Sequence, residues 1–207
     1  MNLQTELIFQ IFFQIVTAIL SLFFYKKHKS IFYKLLCIFL IVVAITESIG
    51  IYQIKYDIID KNNIHLISAF FQFNLIALMY SKLLNEKTGK KIILFLSFLF
   101  NFYFVFVFFN KSLFPFLIAI GCINSGLFSF LYLRKLLMSD KIINYKEHLP
   151  FWVSVAFLIF YITSIPFFTE MAYMQGRDLF FLVSILIIIM NLLIITGIIW
   201  SKKEVKY

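Results

Sequence analysis

Residues 38–53, IFLIVVAITESIGIYQ, decide how the chain is interpreted, because one acidic side chain lies inside a long apolar run. The run extends over 31–54 and is interrupted only by Lys34 at its entry and by Glu47. A helix that spans a membrane needs about 20 apolar residues, and this run supplies them. An acid at the centre of such a helix costs about 2.5–3.5 kcal/mol on insertion scales, so Glu47 is a candidate functional residue.

The composition of the whole chain also indicates a membrane protein. Of 207 residues, 62% are hydrophobic and only 14% are charged, and the mean hydropathy is +0.95. A soluble domain carries about 25% charged residues and about 45–50% apolar ones. The net charge of +9 does not indicate a nucleic-acid partner, because the basic residues lie at the ends of apolar runs, where lipid headgroups explain them.

Seven apolar runs account for the chain, so we predict an all-α integral membrane protein that forms one domain over residues 1–207. The runs are identified by their length, since each is long enough to cross a hydrocarbon core of about 30 Å. The predicted spans are 7–25, 31–54, 64–81, 92–110, 112–133, 149–169 and 179–201. Pro166 lies inside the sixth span and is expected to kink that helix or to end it early.

The basic residues predict the orientation of the helices. Fifteen of the 19 Lys and Arg residues fall in the 1–2, 3–4 and 5–6 connections, at the entry of the second span, or in the C-terminal tail. Because basic residues favour the cytoplasmic side, the N-terminus is predicted outside and the C-terminus in the cytoplasm. The expected location is the cytoplasmic (inner) membrane of a bacterium.

Polar side chains occur within the spans at about the depth of Glu47, in the half of the membrane predicted to face outward. Two interpretations of them stay open. In the first, they form hydrogen bonds between helices, each contributing roughly 0.6 kcal/mol, and Glu47 is protonated and hydrogen-bonded to one of them. In the second, they line an outward-facing pocket in which Glu47 binds a proton or a cationic ligand. The inner half is expected to be almost entirely apolar. The candidate ligand-binding residues are Glu47, Gln14, Gln72, Asn74, Asn101, Asn124, Tyr161, Ser164 and Asn191.

Other chemistries are not indicated. His28 and His148 fall in connections and are expected to be solvated, and His65, near Asp57 and Asp60, does not have the spacing of a metal site. The seventh span has no lysine for a retinal Schiff base, and no two histidines suit a haem. We therefore predict no catalytic residues, no metal and no cofactor.

The second half of the chain resembles a family of small seven-helix membrane proteins from Bacteroidetes-type bacteria. The resemblance rests on a helix that opens with Phe151 and Trp152, a later Tyr161, and a seventh helix with Asn191 that ends at Trp200 before a basic tail. Ser164 stands where the family often has a small residue. The resemblance implies a cytoplasmic-membrane protein that works beside a signalling partner, and it implies no established activity.

The leading functional hypothesis is a receptor-like or sensory protein that binds a small or lipidic ligand in its outer half. Its signal would be read by a cytoplasmic protein at the 5–6 connection and the tail. The first alternative is a proton- or cation-coupled transporter, which needs polar groups in the inner half. The second is a membrane-embedded lipid hydrolase, which needs a second acid or a metal.

Overall fold

The structure is a computed structural model that describes residues 3–28, 30–55, 61–84, 86–170 and 180–202. These residues form α-helices with short 3-10 segments, and no strand occurs in these ranges. The 3-10 segments cover Phe24–Lys26, Lys111–Leu113 and Asp140–Glu147. The α-helices are α1 (Leu3–Phe23), α2 (Ile31–Lys55), α3 (Lys61–Leu83), α4 (Lys87–Phe109), α5 (Phe114–Leu137), α6 (Leu149–Glu170) and α7 (Phe180–Trp200).

The prediction of seven span-length apolar helices is confirmed. Among the described residues, seven helices are long and apolar enough to cross a membrane, as expected of a multi-pass membrane protein. Helix α4 begins at Lys87, before its apolar run, because a helix can continue through charged residues that favour the helical state. Helix α6 continues past Pro166 to Glu170, so it does not end early.

The helices alternate in direction, which gives the bundle two ends. We call the end at which α1 begins the N-terminal end, and the end that carries Ser201 and Lys202 the C-terminal end. Which end faces the cytoplasm stays a prediction from the basic residues.

Six helices form a closed ring, and α4 lies outside it. In the ring, α1, α2, α3, α5, α6 and α7 each pack against the next, and α7 packs against α1. Helix α4 packs mainly against α3 and α5. Its buried residues, Ile93, Phe100 and Val107, are seven apart and form one narrow stripe. Phe98 on the opposite side is 66% exposed, as expected for a surface that contacts lipid.

Aromatic side chains fill the centre of the ring. The ring centroids of Phe39 and Phe157 are 5.3 Å apart, and those of Phe73 and Tyr161 are 5.9 Å apart. Phe73 also packs directly on Gly121 of α5, where a β-carbon would overlap its ring. Close helix packing at small residues is typical of membrane bundles, where the hydrophobic effect does not drive helices together.

Candidate functional site

Glu47 lies on the face of α2 that points into the bundle. Leu36, Leu40, Val43 and Glu47 are four, three and four residues apart, so they share one face of the helix. The first three are 0%, 3% and 8% exposed. The Glu47 side chain is half-buried, and it is the member of this stripe that lies nearest to the N-terminal end of the bundle. The carboxyl group is therefore placed toward the interior and not toward lipid.

The packing of α1 on α2 sets the depth of Glu47 relative to α1. Cys37 Sγ lies 3.6 Å from the carbonyl oxygen of Ser21, which registers the two antiparallel helices. Glu47 is ten residues from Cys37, or about 15 Å along the axis. The same distance back from Ser21 falls between Gln10 and Gln14. Both glutamines are buried, with 6% and 3% exposure.

The packing of α2 on α3 places a second set of polar groups at this depth. A β-carbon at Gly50 would lie 3.2 Å from His65 Cε1, so these two residues register the helices. Because the helices are antiparallel, Ser68 lies at the level of Glu47. Gln72 Nε2 donates a hydrogen bond to Ser68 Oγ at 2.7 Å. Glu47 thus lies between the polar faces of α1 and α3.

Several oxygen acceptors in this region have unused capacity. Within the described residues, the Glu47 carboxylate has neither a hydrogen-bond partner nor an ion-pair partner. Gln14 Oε1 is buried and receives no hydrogen bond from any described group. Gln10 Oε1 accepts one hydrogen bond, from Ser184 Oγ of α7 at 3.0 Å. We call Gln10, Gln14 and Glu47 the acceptor cluster.

Three of the predicted site residues lie on the α4 side of the bundle, away from the acceptor cluster. Asn74 and Asn101 exchange two hydrogen bonds of 3.0 Å across the contact between α3 and α4. Asn124 donates to the Leu96 carbonyl oxygen of α4 at 3.3 Å. These amides connect helices, as in the first of the two interpretations.

Of three further candidates in α6 and α7, two make local contacts and one lies in the central aromatic cluster. Ser164 Oγ donates to the Phe160 carbonyl oxygen at 2.6 Å, and Asn191 Nδ2 donates to the Ile187 carbonyl oxygen at 2.8 Å. Tyr161 is buried in the central aromatic cluster. The helix register therefore places Glu47 and Gln14 at about the same level, with Gln72 bonded to Ser68 at that level, and the structure does not bring all nine candidates into one belt.

Helix α1 contributes a polar stripe of which only Gln14 was among the predicted ligand-binding residues. Gln10, Gln14, Thr17 and Ser21 are four, three and four residues apart, and all are buried. Thr17 Oγ1 and Ser21 Oγ donate to carbonyl oxygens of their own helix. The spacing alone could have revealed the stripe, since it is the repeat of one helical face.

The expectation of an apolar inner half is wrong. Near the C-terminal end, Tyr80 of α3 is fully buried and its hydroxyl donates to Ser154 Oγ of α6 at 2.9 Å. The same hydroxyl lies 2.9 Å from Ser129 Oγ of α5. On the other side of the ring, the Tyr33 hydroxyl donates to the Ser21 carbonyl oxygen at 2.7 Å. These hydroxyl groups belong to different helices, so their hydrogen bonds could not be predicted from their positions in the sequence.

The prediction that His28 is solvated is also wrong. His28 is 0% exposed and lies where α1, α2 and α7 meet at the C-terminal end. Its Nε2 lies 3.4 Å from the Ile198 carbonyl oxygen and 3.3 Å from Ser201 Oγ. Its ring packs on Tyr33, with the centroids 4.9 Å apart. Lys27 Nζ donates to the Ile199 carbonyl oxygen at 3.0 Å and fixes the same junction.

Protonation of His28 is expected to weaken this junction. Burial lowers the pKa of His28 below its ordinary value of 6.5, and the nearby Lys27 ammonium adds to the effect, while the Ile198 carbonyl opposes it. A second proton would also place an N–H on Nδ1, a buried atom that has no partner among the described groups. The unfolded chain therefore binds the proton more readily, and stability falls as the pH decreases through 6.5.

The measurement is the thermal stability of the detergent-purified protein between pH 8 and pH 5, at roughly one-unit intervals. Wild type should lose stability below neutrality with a limiting slope of about 1.4 kcal/mol per pH unit. His28→Gln should make this slope shallower, and His148→Gln in the 5–6 connection should keep it. An unchanged slope in His28→Gln would refute the assignment.

No group of three metal-ligating side chains occurs within the described part of the chain. Asp57 and Asp60, which were considered as metal ligands together with His65, lie outside the described residues. A recess lined by Leu66, Val107, Lys111 and Phe114 encloses no space large enough for a water molecule. Small-molecule pockets usually measure about 300–1,000 Å³, so this recess is too small for one.

Comparison with known proteins does not assign the chain to a family. No protein-family model matches it, and neither a curated protein nor a solved structure is significantly similar to it. The resemblance to the Bacteroidetes-type family therefore stays a prediction. The class of protein is defined by the fold alone, as an all-helical protein with seven helices of membrane-spanning length and composition.

Proposed function

We propose that this protein is a receptor-like seven-helix membrane protein that binds a small or lipidic ligand at the N-terminal end of the bundle. The observation that carries the proposal is the Glu47 carboxylate, which lies on the interior face of α2 and has no partner among the described residues. Buried charges are normally paired, so an unpaired acid at the level of the free acceptor of Gln14 supports a site for a ligand.

The contacts of α1 and α7 supply a route from this site to the other end. The two helices are joined at one end by Gln10 and Ser184, and at the other by Lys27 and the Ile199 carbonyl. A ligand that contacts Gln14 would act on this pair of helices. The end of α7 also meets the 5–6 connection, where Lys202 forms an ion pair with Glu147.

The proposed readout is at this junction of α7 and the 5–6 connection. Trp152 packs edge-to-face on Trp200, with the ring centroids 5.8 Å apart, and donates from Nε1 to the Lys146 carbonyl oxygen at 3.0 Å. A displacement of α7 would move these contacts. We propose that a cytoplasmic signalling protein detects the change, with the protein in a bacterial inner membrane and this end in the cytoplasm.

A proton- or cation-coupled transporter is the second candidate, and the polar stripe of α1 favours it. Thr17 and Ser21 continue the stripe beyond the acceptor cluster, and His28 lies at the C-terminal end of the same helix pair. A transporter needs polar groups in the inner half of the membrane, and these residues supply them. Uptake of the bound molecule into proteoliposomes would distinguish this candidate from a receptor, which binds without uptake.

The test of ligand binding is native mass spectrometry of the purified protein. Wild type should retain a small molecule besides bulk lipid, and Glu47→Gln should lose it, because the variant keeps the shape of the side chain but not its charge. Glu86→Gln makes the same change at an exposed position in the 3–4 connection and should retain the ligand. A wild-type protein without a bound molecule, or a Glu47→Gln variant that keeps it, would contradict the proposal.

A further inference from the structure

The acceptor cluster restricts the chemistry of the ligand, if the proposed function holds. An ionised carboxylate only accepts hydrogen bonds, and the Glu47 carboxylate has no donor among the described groups. Gln14 Oε1 likewise has no donor, although it is buried. Gln10 Oε1 has one donor, the Ser184 hydroxyl, and a carbonyl oxygen can accept two. Oxygen atoms of all three side chains therefore have unused capacity to accept hydrogen bonds.

The cluster also lacks positive charge from the described side chains around it. His65 of α3 packs on Gly50 of α2 and forms no ion pair with Glu47. Lys111, at the same end of the bundle, is exposed beside α5 and lines the small recess between α3, α4 and α5. Neither group neutralises the carboxylate, and no other described side chain forms an ion pair with it.

From these observations we propose that the ligand is an organic ammonium cation, with at least one N–H group, that binds between α1 and α2. The ammonium group pairs with the Glu47 carboxylate and donates to Gln14 Oε1. Charge-assisted hydrogen bonds of this kind are shorter and stronger than neutral ones, so the pair of contacts selects for charge and for an N–H donor together. The remainder of the ligand lies against the apolar stripe of α2, at Val43.

The experiment measures the melting temperature of the detergent-purified full chain with four separate probes: n-butylammonium, butan-1-ol, butyrate and Na⁺. Butan-1-ol matches the shape of n-butylammonium without its charge, and butyrate reverses the charge. We expect n-butylammonium alone to raise the melting temperature of wild type and of Glu86→Gln. Glu47→Gln should lose the shift, and Glu47→Asp, which keeps the charge, should retain part of it.

Gln14→Leu provides a second, independent test, because it removes one acceptor and leaves the charge. Its affinity for n-butylammonium should fall about tenfold or more, as expected for the loss of a hydrogen bond to a charged group. An unchanged affinity would overturn the proposed pose. A shift caused by Na⁺ alone, or equally by butan-1-ol, would overturn the ammonium assignment.

The failure of this inference can be told apart from the failure of the proposed function. If native mass spectrometry finds a neutral or anionic molecule that depends on Glu47, and n-butylammonium gives no shift, the receptor proposal stands and the ammonium proposal falls. If no molecule copurifies and no probe shifts the melting temperature, both proposals fall.

Discussion

Replacing Gly197 by alanine is expected to destabilise the protein strongly, because it forces α6 and α7 apart. A β-carbon at Gly197 would lie 2.5 Å from Trp152 Cβ and 3.0 Å from its Cγ. A β-carbon cannot move by a change of rotamer, so the clash is relieved only by a backbone shift. Overpacking of a core costs about 1–3 kcal/mol and sometimes more. The melting temperature in detergent, followed by circular dichroism, should fall by several degrees.

Gly89→Ala is the matched control for this substitution. A β-carbon at Gly89 would meet Leu84 at 3.5 Å, which is ordinary contact. Alanine also favours the helix by about 0.5–1 kcal/mol relative to glycine. The control should therefore be neutral or slightly stabilising. Equal melting temperatures for Gly197→Ala and wild type would show that α6 and α7 do not approach as closely as described.

The length of the apolar runs was sufficient to predict the helices, but it could not predict their arrangement. Run length depends only on the thickness of the hydrocarbon core, so it identifies spans one at a time. The position of α4 outside the ring depends on which residues pack on α3 and α5. Its apolar residues surround the helix, so the narrow stripe of Ile93, Phe100 and Val107 cannot be distinguished in the sequence.

The candidate site illustrates the difference between depth and direction. The rise per residue placed Glu47, Gln14 and Asn101 in the same half of the membrane. Their directions depend on the helix neighbours, and Asn101 points to Asn74 at the contact of α3 with α4, while Glu47 points inward. The four-three-four spacing of the α1 stripe does specify a face. Spacing of this kind can be found in the sequence, and it predicts the buried face of the helix.

His28 was missed for a different reason. It lies among lysines in a connection, and such a segment is usually solvated. Here the chain continues from α1 as the 3-10 segment Phe24–Lys26, so His28 remains against the end of α7. A connection this short cannot move away from the helices that it joins, and the burial of His28 follows from that geometry.

Replacing Tyr80 by phenylalanine is expected to have the second large effect on stability, because one hydroxyl connects three helices. The Tyr80 hydroxyl contacts Ser129 and Ser154 at 2.9 Å each, and all three side chains are 0% exposed. Its removal leaves Ser154 Oγ buried without this partner. An unsatisfied buried polar group costs about 1–3 kcal/mol, and hydrogen bonds in membrane bundles reach about 1.7 kcal/mol, so we expect a loss of about 1–2 kcal/mol.

Two comparisons separate the hydroxyl network from a general effect of the substitution. Tyr25→Phe deletes the same atom from a side chain that is 42% exposed, and it should leave the unfolding free energy unchanged. Adding Ser154→Ala to Tyr80→Phe removes the unsatisfied oxygen and should recover part of the loss, since the two residues are coupled. Strictly additive losses in the double variant would mean that the hydroxyls do not interact. Because Ser129 also donates to the Ser125 carbonyl oxygen at 2.8 Å, it keeps a partner in every variant, so the recovery can be attributed to Ser154.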